Sequence, residues 1–190
     1  LKVNAVGSVY YPQDAHLQPA RFVRELAKKI IEFGVKIQSK TEILGFERSG
    51  NRLTKVRTTR GDIEANEVVI ASGVWSSAIA RQLGLRLKIQ AGKGYSITLE
   101  RPKVSANFPF MLVEKKVGVT PMGDTIRVAG TLEMAGLNLA INERRVQGIF
   151  KSVSQYLPDL DPNLCRLIEV WCGLRPCTPD GLPYLGRAEN

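Results

Sequence analysis

At 190 residues, with 44% hydrophobic and 24% charged side chains, the chain has the size and composition of one globular domain or one and a fraction, which excludes a disordered or fibrous polymer. Its longest nearly apolar run, Val68 to Trp75, falls far short of the roughly 20 residues that cross a bilayer as a helix. The 27 Lys and Arg against 18 Asp and Glu give a net charge of +9. They come as scattered doublets such as Lys28-Lys29, Lys115-Lys116 and Arg144-Arg145, without the clustered basic face of a nucleic-acid binder, so no nucleic-acid partner is expected.

The opening stretch Asn4 to Tyr11 alternates Val and Tyr and reads as a short strand ended by Pro12. From Pro19 through Phe33 the apolar residues Phe22, Val23, Leu26, Ala27, Ile30 and Ile31 recur at helical spacing, with Pro19 suited to the first turn and Gly34 to the stop. Val35 to Ile37 follows at once as a strand, which together with the helix resembles half of a βαβ unit. Glu42 to Ala65 breaks at Ser49-Gly50-Asn51 and Arg60-Gly61-Asp62 and reads as a three-stranded antiparallel meander. Val68 to Ala71 is apolar on both faces, as in a buried parallel strand, and passes through Ser72-Gly73 into a helix from Ser76 or Ser77 to Leu83.

After Gly84 the chain turns to strands separated by Gly and Pro: Tyr95 to Leu99, Phe110 to Glu114, Val117 to Thr120 and Thr125 to Leu132. These form an antiparallel sheet. A second long helix is expected from Asn142 or Glu143 to Tyr156, capped by Asn142 and stopped by Pro158. A strand and then a Pro- and Gly-rich loop fill Leu167 to Gly186.

Hydrolytic triads need a base that cycles near neutral pH, and His16, the one histidine, has no evident nucleophile or orienting acid; it reads as a solvated loop residue before the first helix. The three cysteines, Cys165, Cys172 and Cys177, lack CxxC spacing, so neither a zinc site nor a disulfide framework is expected and a reducing cytosol fits. No secretory signal is expected from the opening residues. Gly92-Lys93-Gly94 lacks the third glycine and the strand-to-helix setting of a phosphate cradle.

Two stretches carry more. In Val68-Val69-Ile70-Ala71-Ser72-Gly73-Val74-Trp75-Ser76 a buried strand delivers small residues to a sheet edge, where a ligand can approach the backbone; an ordinary strand-to-helix turn is the plainer alternative. In Trp171 to Gly186 the segment Gly173-Leu174-Arg175-Pro176 sets an arginine before a proline, which confines Arg175 to extended backbone. A guanidinium so held can grip a carboxylate through two parallel hydrogen bonds, or else pair with a structural acid such as Asp180.

These stretches, together with Phe22 to Ile37, Gly92-Lys93-Gly94-Tyr95-Ser96-Ile97, Val119-Thr120-Pro121-Met122 and Arg127 to Glu133, resemble in order the D-amino-acid oxidase superfamily of FAD-dependent amine oxidoreductases. Within it the chain is most similar to the D-amino-acid dehydrogenases, with glycine oxidase next.

The resemblance implies a central piece of a longer enzyme, lacking the N-terminal GxGxxG unit that holds the FAD pyrophosphate. The implied fold is mixed α+β and α/β: residues 13–84 and 171–190 as part of a Rossmann-like FAD domain, and residues 1–12 and 85–170 as a substrate domain built on an antiparallel sheet. It implies substrate carboxylate binding at Arg175 with help from Tyr95, and FAD contacts at Ile43, Ala71, Ser72, Gly73 and Trp75. It further implies oxidation of a small amino-acid substrate to a 2-oxo acid and ammonia, FAD in the intact enzyme but weakly held or absent in this stretch alone, and oxygen or a quinone as electron acceptor. A cytoplasmic location is expected, and peripheral contact with an anionic inner membrane is compatible with the charge. The rival expectation is a non-catalytic domain of the same fold that binds amino acids or a protein.

Overall fold

The computed structural model describes residues 5–50, 52–103, 105–160 and 164–188. It divides into two compact units, Leu1–Val23 with Gly92–Leu174, and Arg24–Ala91 with Arg175–Asn190. Each is interrupted in sequence by the other, with boundaries at 23/24, 91/92 and 174/175 where the sequence suggests 12/13, 84/85 and 170/171.

The first unit is built on a five-stranded sheet of order β5-β6-β7-β4-β8, formed by β4 (Gln90–Glu100), β5 (Phe110–Leu112), β6 (Val117–Met122), β7 (Thr125–Glu133) and β8 (Leu167–Cys177). The β5–β6, β6–β7 and β7–β4 pairs are antiparallel. Alternate residues of each strand point to one face, and that face is apolar: Tyr95, Ile97 and Leu99 of β4, Val117 and Val119 of β6, Ile126 and Val128 of β7. Against it packs the helix Glu143–Tyr156, through Val146, Ile149, Phe150 and Val153. Asn142 caps the helix as expected, its side-chain oxygen accepting from the Arg144 amide at 3.1 Å. Gly130 allows the close approach, since a Cβ there would lie 3.0 Å from Val117 Cγ2 and 3.5 Å from Ile149 Cγ1.

Near its end β7 departs from plain pairing. Tyr95 stands opposite Gly130, but Gly94 stands opposite Leu132 and Lys93 opposite Glu133. Thr131 is the extra residue of this bulge and sits in left-handed backbone at φ 60°, a costly conformation for a β-branched side chain. The added residue reverses the alternation, so Glu133 rather than Leu132 shares the core face with Lys93.

The second unit holds the expected meander: β1 (Ile43–Ser49), β2 (Arg52–Thr58) and β3 (Ile63–Glu64), antiparallel in the order β1-β2-β3. A 3-10 turn Gly73–Trp75 leads into the short helix Ser76–Arg81. The helix Pro19–Glu32 forms where its periodicity places it, yet none of its residues is buried, and Phe22, Val23, Leu26 and Ile31 are exposed.

Three expected strands do not form. Residues 5–11, 35–37 and 68–71 carry no strand pairing among the described residues, and Asn4 lies outside them. Apolar patterning shows that a segment suits a sheet; it does not supply the neighbouring strand whose amides and carbonyls complete the ladder. Phe110 to Glu114 likewise splits, into β5 and a 3-10 turn Val113–Lys115. No helix among the described residues is long and apolar enough to cross a membrane.

Candidate functional site

In the second unit, the stretch after Ile70 turns sharply at Gly73, whose φ of 57° is in the left-handed region that glycine adopts freely. Ser72 precedes it at φ −91° and ψ 16°, and its amide donates to Ser76 Oγ at 3.1 Å. The Trp75 amide closes the turn on the Ser72 carbonyl at 3.2 Å. Val74 and Ser76 are buried and anchor the turn, whereas Ala71 and Gly73 are exposed and the Trp75 indole is half-exposed. Apart from its own chain neighbours, no described residue comes within 4 Å of where a Gly73 side chain would begin. The turn thus presents open backbone flanked by an accessible planar ring, an arrangement that fits close approach of a flat, phosphate-linked group such as FAD.

Ile43, the other residue matched to FAD, opens β1 opposite Thr58, half-buried, with an irregular step between it and Gly45. The neighbouring Glu42 amide donates to Thr59 Oγ1 at 3.0 Å.

Arg175 lies near the end of β8 and is exposed. It makes no ion pair or side-chain hydrogen bond with a described residue; its carbonyl accepts the Cys177 thiol at 3.7 Å. Asp180 is engaged elsewhere, its carboxylate accepting from the Leu182 amide at 3.1 Å. Among the described residues the guanidinium is therefore uncommitted. Along β8 the residues Glu169, Trp171, Gly173 and Arg175 occupy alternate positions and share one face of the strand, while Val170 and Cys172 pack toward the core. The Trp171 ring lies over Gly173, where any Cβ would collide with it. A guanidinium without a partner among the described residues is suited to holding an organic acid, and the exposed Trp171 indole is a feature that arginine-proline spacing does not reveal.

Tyr95 is placed differently from the expectation of a substrate ligand. It is 2% exposed, and its hydroxyl donates to Glu133 Oε2 at 2.6 Å and accepts from the Asn142 amide at 3.3 Å. Its parity on β4 turns it toward the helix, and both contacts hold it there. Beside it Lys93, also 2% exposed, donates to the Ala140 carbonyl at 2.8 Å and stands 3.5 Å from Glu133 Oε2 and 5.6 Å from the Tyr95 ring centre. Burial works against the Lys93 ammonium, but the Tyr95 hydroxyl and the Glu133 carboxylate more than compensate and hold its pKa above the ordinary lysine value. The Tyr95 hydrogen bond, opposed by burial and aided by Lys93, keeps Glu133 below the ordinary carboxylate value.

The network was open to sequence reasoning through one signal: Lys93 has the same parity on β4 as Tyr95, Ile97 and Leu99. A charge in a core-facing position calls for a partner.

On the opposite face of the sheet, Arg127 reaches Glu169 at 3.9 Å. Ser96 Oγ, Thr98 Oγ1 and Arg127 Nε are buried there without a hydrogen-bond partner among the described residues.

Two units of antiparallel sheet and helix thus carry an exposed glycine turn and a strand-borne arginine that pairs with no described residue. The sequence matches the DAO family, FAD dependent oxidoreductase, over residues 2–190, and the chain belongs to that family. It is 35% identical over 97% of its length to a D-amino acid dehydrogenase of Granulibacter bethesdensis and 37% identical over 95% to one of Paramagnetospirillum magneticum. It spans less than half of each, 44% and 43%. Among solved structures its fold superposes on a glycine oxidase from Bacillus cereus with a TM-score of 0.84 at 24% identity, covering 94% of this chain and 49% of that one. An L-proline dehydrogenase from P. horikoshii follows at TM-score 0.81 and 22% identity, covering 90% and 47%.

Proposed function

We propose that the intact protein oxidises the Cα–N bond of a D-amino acid or similar small amino acid, giving an imino acid that water hydrolyses to a 2-oxo acid and ammonia. FAD, when bound, supplies the acceptor for the hydride leaving Cα. Arg175 grips the substrate carboxylate and so orients Cα–H. The glycine turn with Ala71, Ser72, Gly73 and Trp75 holds the cofactor, with Ile43 contributing backbone contact. The second unit is the FAD-binding part and the first unit the substrate-binding part. Tyr95 acts through position: its hydrogen bonds with Glu133 and Asn142 secure the substrate-domain sheet against its helix.

Orientation is most of what the protein must provide, because the cofactor carries the redox chemistry. A sequence with one histidine is no obstacle to that. The electron acceptor in this reading is oxygen or a quinone, the relatives' designation as dehydrogenases favouring an acceptor other than oxygen, and the protein is cytoplasmic, with the net charge of +9 allowing peripheral contact with an anionic membrane. The observation that carries the reading is the uncommitted guanidinium of Arg175, in a chain that matches the family from residue 2 to residue 190.

The test is a panel of D- and L-amino acids, glycine and the corresponding amines lacking the carboxylate, assayed with the full-length protein and a quinone analogue or oxygen. Turnover of carboxylate-bearing amines with release of one ammonia per 2-oxo acid supports the reading. Turnover of decarboxylated amines at equal kcat/KM contradicts it.

A further inference from the structure

The second unit contains a cavity of about 400 Å³ lined by Ser77, Arg81, Leu85, Arg86 and Leu87, at the low end of the size range of small-molecule sites. Its shape comes from the end of the helix Ser76–Arg81. Gly84, at φ 81°, lets the chain reverse, with the Leu85 amide donating back to the Ala80 carbonyl at 3.0 Å and the Gly84 amide to the Arg81 carbonyl at 3.0 Å. The reversal returns Leu85, Arg86 and Leu87 alongside the helix, and Ser77 Oγ fastens them by donating to the Leu87 carbonyl at 2.9 Å.

Two arginines, Arg81 and Arg86, both exposed, therefore border one small cavity. Neither Arg81 nor Arg86 makes an ion pair or side-chain hydrogen bond with a described residue, and no acidic side chain lines the cavity. Like charges gathered without a counter-charge repel, and an anion between them removes the repulsion. Arginine forks match the paired oxygens of a phosphate better than they match a point charge, and Leu85 and Leu87 add an apolar wall. We propose that this cavity binds a phosphate group, gripped by Arg81 and Arg86, with the leucines against the organic part that bears it. The site stands independently of the oxidoreductase reading, since neither Arg175 nor the glycine turn takes part.

The test is titration of the isotope-labelled full-length protein with inorganic phosphate, against sodium chloride at matched ionic strength, read by amide and arginine side-chain NMR shifts. Saturable shifts at Ser77, Arg81, Arg86 and Leu87 are expected, weakened by at least about tenfold in the Arg81→Gln/Arg86→Gln double variant, the loss typical of charge-assisted hydrogen bonds. If that variant does not fold, the single variants replace it, with the same direction expected. Shifts that follow chloride equally, never saturate, or persist in the variants overturn the proposal. Sedimentation with phosphatidylcholine vesicles with and without phosphatidylglycerol identifies the source. Binding to the anionic vesicles that the variant loses and phosphate competes away assigns a lipid headgroup, whereas saturable phosphate shifts without vesicle binding assign a soluble phosphate ester.

Discussion

Thr131 and Glu133 are coupled through the backbone: the left-handed bulge residue at φ 60° turns the carboxylate two positions on toward Lys93, 3.5 Å away. Were Thr131 to pair in plain register instead of bulging, Leu132 would face the core and Glu133 the other side of the sheet. The buried charge at Lys93 and the strained threonine are thus two parts of one arrangement, completed by the Tyr95 hydroxyl.

That arrangement predicts a pH signature. Glu133, held below its ordinary value of 4.5, stabilises the fold above that value and loses its contribution as pH falls through the lowered folded value. Lys93, held above 10.5, contributes below that value and loses its contribution as pH rises through the raised one. The stability gap between wild type and Glu133→Gln in urea unfolding is expected to be flat across neutral pH and to close in acid. A gap that widens on acidification contradicts the pairing.

Gly130→Ala is expected to destabilise by about 1–3 kcal/mol, the usual cost of overpacking. The new methyl meets Val117 and Ile149 between sheet and helix. Equilibrium unfolding checks this, and an unchanged midpoint would show that the helix can withdraw without cost.

Thr98→Val removes a buried hydroxyl that has no partner among the described residues. Stability is expected to hold or to rise by roughly 1 kcal/mol, since an unsatisfied buried polar group costs about 1–3 kcal/mol. A clear loss in the thermal midpoint would mean that the hydroxyl is in fact satisfied.

At Gly73 a methyl has open space around it but must accept φ 57°. Gly73→Ala should cost about 1 kcal/mol of stability from left-handed backbone strain. Retention of FAD, read as the ratio of flavin to protein absorbance in the purified full-length enzyme, should fall well beyond what that loss explains. Full flavin content in the variant would remove the turn from the cofactor site.

Legibility in the sequence followed the range of the interactions involved. The helices Pro19–Glu32 and Glu143–Tyr156 were readable because periodicity, proline, glycine and the Asn142 cap all lie within the segment itself. The meander was readable from its turns. Residues 35–37 and 68–71 were not, because a strand's partners lie elsewhere in sequence, and apolar runs identical in composition can end paired or unpaired. The same limit governed the site. Arg175 could be singled out from the proline beside it, whereas the engagement of the Tyr95 hydroxyl by Glu133 depends on a one-residue bulge that no local pattern announces.

The central claim is that Arg175 holds the substrate's carboxylate, and steady-state kinetics of Arg175→Ala in the full-length enzyme address it most directly. Loss of a charge-assisted hydrogen-bonded pair worth about 1.5–3 kcal/mol predicts a rise in KM of roughly 10- to 100-fold for amino acids, with FAD content unchanged. An unchanged KM at normal flavin content would contradict the assignment.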